Sequence, residues 1–293
     1  HQFHDRQCLC RLVQCHADTG QLPPVIIPVG EQADHPLQQY RTVTELVQFV
    51  MHCQQVFVPV GRWRVGEFDG PLHGGDCLSI VPELGFVEAA SLGCRFMTSF
   101  RGVVDQGRLR CGEWVAVHGC GGVGLSAVMI AAACGARVVA VDISDAALGL
   151  ARQMGAVATV NGAEAEVAAA VREVTGGGAH LSLDALGSTT TCVNSIGCLA
   201  KRGRHVQVGL MAGPDALPPI PMGPVIANEL EIVGSHGMQA HRYPAVLALI
   251  EAGALEPQKL IHRTVTLSEG AAFLQRMGNF PSPGVTVIND FRH

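Results

Sequence analysis

Residues 113–142 constrain this chain more than any other stretch. Trp114 to Val117 is a short apolar run. Gly119, Gly121 and Gly124 follow at the spacing G-x-G-x-x-G, and an Ala-rich stretch runs on to Gly135. A second apolar run, Arg137 to Val141, then ends on Asp142. Strand, glycine turn, helix, strand and acid in this order make a dinucleotide-binding βαβ unit. Gly119 permits the tight turn, Gly121 lets backbone approach a pyrophosphate, and Gly124 lets the helix close on the strand. Gly122 and Val123 start the helix, where unpaired amides and the positive end of the helix dipole favour phosphate. Asp142 lies 23 residues after Gly119, where a carboxylate accepts hydrogen bonds from both ribose hydroxyls. A 2′-phosphate would be repelled there, so the expected cofactor is NAD rather than NADP.

The chain after Asp142 continues the alternation. Ser144 is an expected N-cap for a helix over Asp145 to Met154, with Gly155 as its stop. Ala158–Val160, Leu181–Ala185, His205–Val208 and Leu230–Val233 read as strands, and Ala165–Val174 and Thr190–Ala200 as helices. Such alternation predicts an α/β fold with a doubly wound parallel sheet. Ligand contacts then gather at the carboxyl ends of the strands. Those ends are Gly119 to Gly124, Asp142, Ala185 to Gly187, Val208 and Gly209 to Leu210, and Ser235 to Gly237. Before this unit, Glu88 to Arg101 has helical spacing. After it, helices are expected at Tyr243–Ala252 and Leu267–Met277, stopped by Gly253 and Gly278, and a closing strand at Gly284–Ile288.

Composition excludes several classes. Hydrophobic residues make up 48% of the 293 and charged ones 15%, so a sizeable core is expected. The net charge of −5 offers no basic footprint for nucleic acid. The longest apolar stretch, Val123 to Cys134, contains Gly124 and Ser126 and is too short to span a bilayer, and no signal segment is read. The expectation is a cytoplasmic protein with neither nucleic-acid nor membrane partners. Eleven cysteines in a chain this size do not read as a secreted disulfide scaffold; most sit in predicted strands and helices as small apolar groups.

Residues 1 to about 80 have a different texture. Ten glutamines fall in the first 60 residues and six in the other 233, and only Ala17 and Ala33 precede residue 80. Val25–Val29 and Val56–Val60 read as strands and Thr44–His52 as a helix, interrupted by several prolines. His4, Cys8, Cys10, Cys15 and His16 cluster loosely, but no C-x-x-C among them matches a zinc knuckle.

From about Pro82 onward the motifs resemble one family. They are Ala89-Ala90-Ser91-Leu92-Gly93-Cys94, Gly112-Glu113-Trp114-Val115, Gly119 to Gly124, Val141-Asp142 and Gly284-Val285-Thr286-Val287-Ile288. As a set they are similar to the medium-chain dehydrogenases, in the zinc-dependent alcohol dehydrogenase branch. The resemblance implies a Rossmann coenzyme domain beside a GroES-like catalytic domain, here reduced. The domains are expected at 1–93 (partial catalytic segment), 94–238 (NAD-binding) and 239–293 (packing back on the catalytic part). It also implies a homodimer or homotetramer, often joined through the edge of the coenzyme sheet.

In that branch the cysteine of the Leu-Gly-Cys motif is a catalytic zinc ligand, and Cys94 stands in its place. Thr98 matches a threonine that packs by the nicotinamide. Cys15-His16-Ala17-Asp18, followed by Leu22-Pro23-Pro24, resembles the motif of a second ligand, Cys15. Ala17 replaces the Ser or Thr whose hydroxyl begins the family's proton relay. The third ligand, a His in a Gly-His-Glu motif, is missing from Val29-Gly30-Glu31, with His35 nearby and His1-Gln2-Phe3 as a rival remnant in the wrong order. The four closely spaced cysteines of the family's structural zinc lobe are absent. His118 and His236 lie at strand ends close to the expected cofactor. For His118, bonding to neighbouring backbone is the simpler expectation.

The resemblance therefore implies an NAD-dependent oxidoreductase moving a hydride between nicotinamide and a small alcohol or aldehyde, with zinc assistance. Two rivals stay open on the sequence: a zinc-free quinone or enone reductase of the same fold, and a non-catalytic nucleotide-binding remnant.

Overall fold

The computed structural model describes residues 84–276 and 284–291. The expectations for Cys15, His35 and the early strands and helix lie outside these residues, as does Gly278.

Six short runs with high β propensity form one sheet: β1 (Trp114–His118), β2 (Arg137–Asp142), β3 (Ala156–Asn161), β4 (Ala179–Asp184), β5 (Leu199–Gln207) and β6 (Glu231–Gly234). All neighbours are parallel, in the order β3-β2-β1-β4-β5-β6. This is the doubly wound order, with the switch point between β1 and β4. Central strands are buried on both faces, so Val115, Ala116, Val117 and Val138 to Ala140 form near-continuous apolar runs.

The helices cover both faces. They are α1 (Phe86–Ser91), α2 (Cys94–Phe100), α3 (Gly122–Ala133), α4 (Asp145–Gln153), α5 (Val167–Thr175), α6 (Thr189–Gly197), α7 (Met222–Ala227), α8 (Tyr243–Glu251) and α9 (Leu267–Arg276). Helix α3 is apolar all round, and Gly124 to Ala131 are all buried. A helix of that kind needs neighbours on every side. It lies between the sheet and α2, and the main core joins Leu125, Val128 and Ile130 to Phe96, Phe100, Val246, Leu255 and Val285. Ser144 does cap α4, its hydroxyl accepting from the Ala147 amide at 3.4 Å. The last described part is a second parallel unit, β7 (Ile261–Thr266), α9 and β8 (Val285–Asp290), and it packs on α1.

The structure corrects two expectations. Glu88 to Arg101 is not one helix: at Gly93 the backbone leaves the helical region (φ −48°, ψ −149°), and α2 then runs on into a π-helical stretch, Arg101–Gln106. The helix expected through Ala200 ends at Gly197, because Arg172 donates to the carbonyls of Gly197 (2.9 Å) and Leu199 (2.7 Å) and β5 begins at Leu199. Strand β7 and helix α7 were not expected from sequence.

Candidate active site

Because every strand of the sheet runs the same way, all six carboxyl ends lie along one edge. The edge is ordered Asp142, Gly119–Gly124, Ala185–Gly187, Val208–Gly209 and Ser235. From β2 to β6 it covers four interstrand steps, roughly 19 Å at about 4.8 Å each.

The glycine turn is built by close approach. Gly119 takes φ +89°, and its amide donates to the Val141 carbonyl at 2.8 Å. A Cβ on Gly124 would lie 1.7 Å from the Gly119 carbonyl oxygen, whereas one on Gly121 would meet nothing within 4 Å. So Gly124 closes the helix onto the turn, and Gly121 faces open space. No side chain caps α3 at Gly121, which leaves its first amides to a ligand.

Asp142 holds this turn. One carboxylate oxygen accepts from the Cys120 amide at 2.7 Å and the other from the Ser144 amide at 2.9 Å. A carboxylate has about four acceptor positions, so roughly two remain for ribose hydroxyls.

Asp184 is buried and satisfied. It accepts from the Leu186 and Gly187 amides (2.9 and 3.0 Å), the Thr191 hydroxyl (3.1 Å) and the Gln207 side-chain amide (2.9 Å). Its own carbonyl accepts from the Val208 and Gly209 amides at 3.0 and 2.8 Å. Asp184 thus fixes the Ala185–Gly187 turn beside the end of β5, and its carboxylate is committed to that work rather than to proton transfer.

At the β5 and β6 ends an open groove of about 440 Å³ is lined by Arg101, Gln207, Val208, Gly209, Ser235 and His236, among others. The Ser235 hydroxyl is buried there with no hydrogen-bond partner among the described residues. An orphaned buried hydroxyl, an open cradle at Gly121 and uncapped helix amides all fit a bound dinucleotide.

Cys94 begins α2, is exposed, and its Sγ lies 3.7 Å from Thr98 Oγ1. The Ser99 hydroxyl lies 2.7 Å from both the Arg95 and Val123 carbonyls, tying this helix to the start of α3. The described thiols divide sharply. Burial, and then the Asp142 charge, push Cys120 up to about 12, and burial pushes Cys198 up to about 11. Cys94 and Cys111 are the exposed ones. A catalytic zinc needs three protein ligands and an open position. Among the described residues no group of three His, Cys, Asp or Glu converges, so Cys94 alone makes no metal centre there.

His118 does not reach the groove. It is buried, and its Nε2 lies 3.5 Å from Cys198 Sγ, so its partner is a thiol rather than the backbone expected. His236 is exposed and uses its carbonyl, which accepts from Arg101 Nη1 at 3.3 Å.

Residues 122–252 match the family model described as zinc-binding dehydrogenase. An NAD-dependent alcohol dehydrogenase of Sulfurisphaera tokodaii is 30% identical over 207 residues, which is 70% of this chain and 58% of that protein. An alcohol dehydrogenase of Geobacillus stearothermophilus is 35% identical over 158 residues, 54% of this chain and 45% of that one. Among solved structures, the alcohol dehydrogenase TADH from Thermus sp. ATN1 superposes with a TM-score of 0.65 at 27% identity, over 72% of this chain and 61% of that chain. The chain belongs to the zinc-type medium-chain dehydrogenase/reductase family.

It spans between 45% and 61% of the length of these three relatives. Family membership matches the resemblance carried by the Leu92-Gly93-Cys94 and Gly119–Gly124 motifs. Two side chains at the family's cofactor edge escaped the sequence reading. Arg101 lines the groove, and Arg95 lies across Gly122. Both had a signal: Arg101 follows Cys94 and Thr98 at i+7 and i+3, one helical face, and Arg95 directly follows Cys94. No described helix is long and apolar enough to cross a membrane.

Proposed function

We propose that this chain is an NAD-dependent oxidoreductase that interconverts a small alcohol and its aldehyde or ketone. The observation that carries the reading is the carboxyl edge itself, where the glycine turn, Asp142 and the orphaned Ser235 hydroxyl sit on one continuous rim. NAD supplies a hydride acceptor at the nicotinamide when bound. Gly122 and Val123 offer amides to the pyrophosphate, and Asp142 accepts from the adenosine ribose. Ala185, Val208, Gly209 and Ser235 border the nicotinamide end, and Ser235 Oγ is the polar group that orients it. Thr98, buried one turn from the Cys94 thiol, packs where substrate meets nicotinamide.

In this proposal Cys94 is one ligand of a catalytic zinc, with Cys15 as a second. The domains divide near residues 93 and 238, and the assembly is a homodimer or homotetramer through the outer edge of β6. Ile232 on β6 and Ile226 on α7, which leads into it, are exposed, the pattern of an edge that another copy covers.

The test combines turnover with metal content. NADH formation from short-chain alcohols and NAD, with about one zinc per chain that is lost in Cys94→Ala, supports the whole proposal. NADH consumption with a quinone, indifferent to chelators and to Cys94→Ala, moves the assignment to a zinc-free reductase. Tight NADH binding without turnover on any of these substrates leaves a coenzyme-binding module.

A further inference from the structure

At the start of α3 the structure places a cation that the glycine motif does not explain. The Arg95 side chain runs across Gly122. A Cβ on Gly122 would fall 2.5 Å from Arg95 Cδ, 3.3 Å from Nε and 3.5 Å from Nη1. The guanidinium therefore lies in contact with the first residue of α3, beside amides that no side chain caps. Its backbone is fixed from below, because the Ser99 hydroxyl bridges the carbonyls of Arg95 and Val123.

Several other arginines are committed. Arg101 donates to His236, Arg172 to Leu199, Arg204 pairs with Glu113, and Arg242 pairs with Asp105. Arg95 is half-buried, and no hydrogen bond or ion pair engages its guanidinium among the described residues. Five N–H donors in a fixed fork, partly desolvated and unengaged, fit phosphate oxygens better than any other common ligand.

We propose that Arg95 is a cofactor-binding residue whose guanidinium clamps the pyrophosphate of the dinucleotide beside the α3 amides. The inference rests on the NAD reading above and adds a residue to it. It also gives Gly122 a specific purpose: a side chain there would displace the Arg95 stem.

The experiment is calorimetric titration of the full chain, wild type, Arg95→Gln and Arg95→Lys, with NADH, ADP-ribose and adenosine, the last by competition. Loss of a charge-assisted bidentate contact predicts a roughly 10- to 100-fold weaker Kd for NADH and ADP-ribose in Arg95→Gln. Adenosine, which has no phosphate, changes less than about threefold. Arg95→Lys recovers part of the loss, and the affinity of Arg95→Gln depends less steeply on salt than that of wild type. Equal losses for adenosine and ADP-ribose mean that the side chain only shapes the fold, and overturn the proposal. Wild-type affinity for ADP-ribose in Arg95→Gln overturns it too while leaving the NAD reading intact. A wild-type chain that binds neither NADH nor ADP-ribose overturns the NAD reading and the role of Arg95 with it.

Discussion

At Gly124 the α3 backbone approaches the turn so closely that a methyl group would sit 1.7 Å from the Gly119 carbonyl oxygen. That atom is backbone and cannot swing aside. Gly124→Ala should therefore destabilise the fold by about 1–3 kcal/mol or more and displace the amides that face the cofactor. Urea unfolding and NADH titration of the variant check this; stability within about 0.5 kcal/mol of wild type with unchanged NADH affinity would contradict the geometry. A second residue-scale device is the buried polar chain beneath the sheet. Ser182 and Ser195 hydroxyls meet at 2.6 Å, Ser195 meets His205 Nδ1 at 2.8 Å, and His205 Nε2 meets Gln207 at 3.1 Å. Burial, and then His205, push His118 down to about 3, and burial lowers His205 as well. The His118 ring is neutral in the fold, while the unfolded chain takes up protons near pH 6.5. Stability is thus complete above about pH 6.5 and falls as pH drops towards 3. For His118 alone the loss is about 2 kcal/mol between pH 6.5 and 5. Denaturant midpoints across that range should fall steeply in wild type and less steeply in His118→Asn; identical slopes would remove His118 from the account.

Among elements, legibility followed burial. Strands β1, β2 and β4 are buried on both faces and announce themselves as runs of Val, Ala and Leu. Strand β7 did not, because His262, Arg263 and Thr264 are exposed in a two-stranded edge unit and break the apolar pattern. The α1–α2 break was hidden for another reason: 3.6-residue spacing persists through Leu92 and Phe96, and only the backbone at Gly93 records the turn. The site divides similarly. Gly119, Gly121, Gly124 and Asp142 were legible because each answers a local backbone or charge requirement inside one βαβ unit. Arg95 and Arg101 showed only a helical position beside Cys94 and Thr98; their meaning depends on α2 packing against α3 and on the π-helical stretch packing against β5. Asp142 had a role in view and a second one hidden, its bonds to the Cys120 and Ser144 amides.

On the scale of the whole molecule, β3 and β6 are the outer strands of the six-stranded sheet among the described residues. Strand β6 pairs only with β5 among the described residues, and Ile232 on it and Ile226 on α7, which leads into it, stay exposed at 40% and 73%. In the proposed homo-oligomer a two-fold copy covers that edge and its apolar surface. Ile232→Lys should shift the chain from dimer or tetramer towards monomer in sedimentation analysis; an unchanged mass would place the interface elsewhere. The same scale contains the central claim, that one rim of about 19 Å binds NAD with the ribose on Asp142. The most direct test is fluorescence titration of wild type and Asp142→Asn with NADH and NADPH. Wild type should prefer NADH, and the variant should lose NADH affinity by roughly tenfold while NADPH holds or gains, because the repulsion of a 2′-phosphate is gone. Equal losses for the two cofactors, or a wild type that prefers NADPH, would contradict the role given to Asp142 and the NAD assignment built on it.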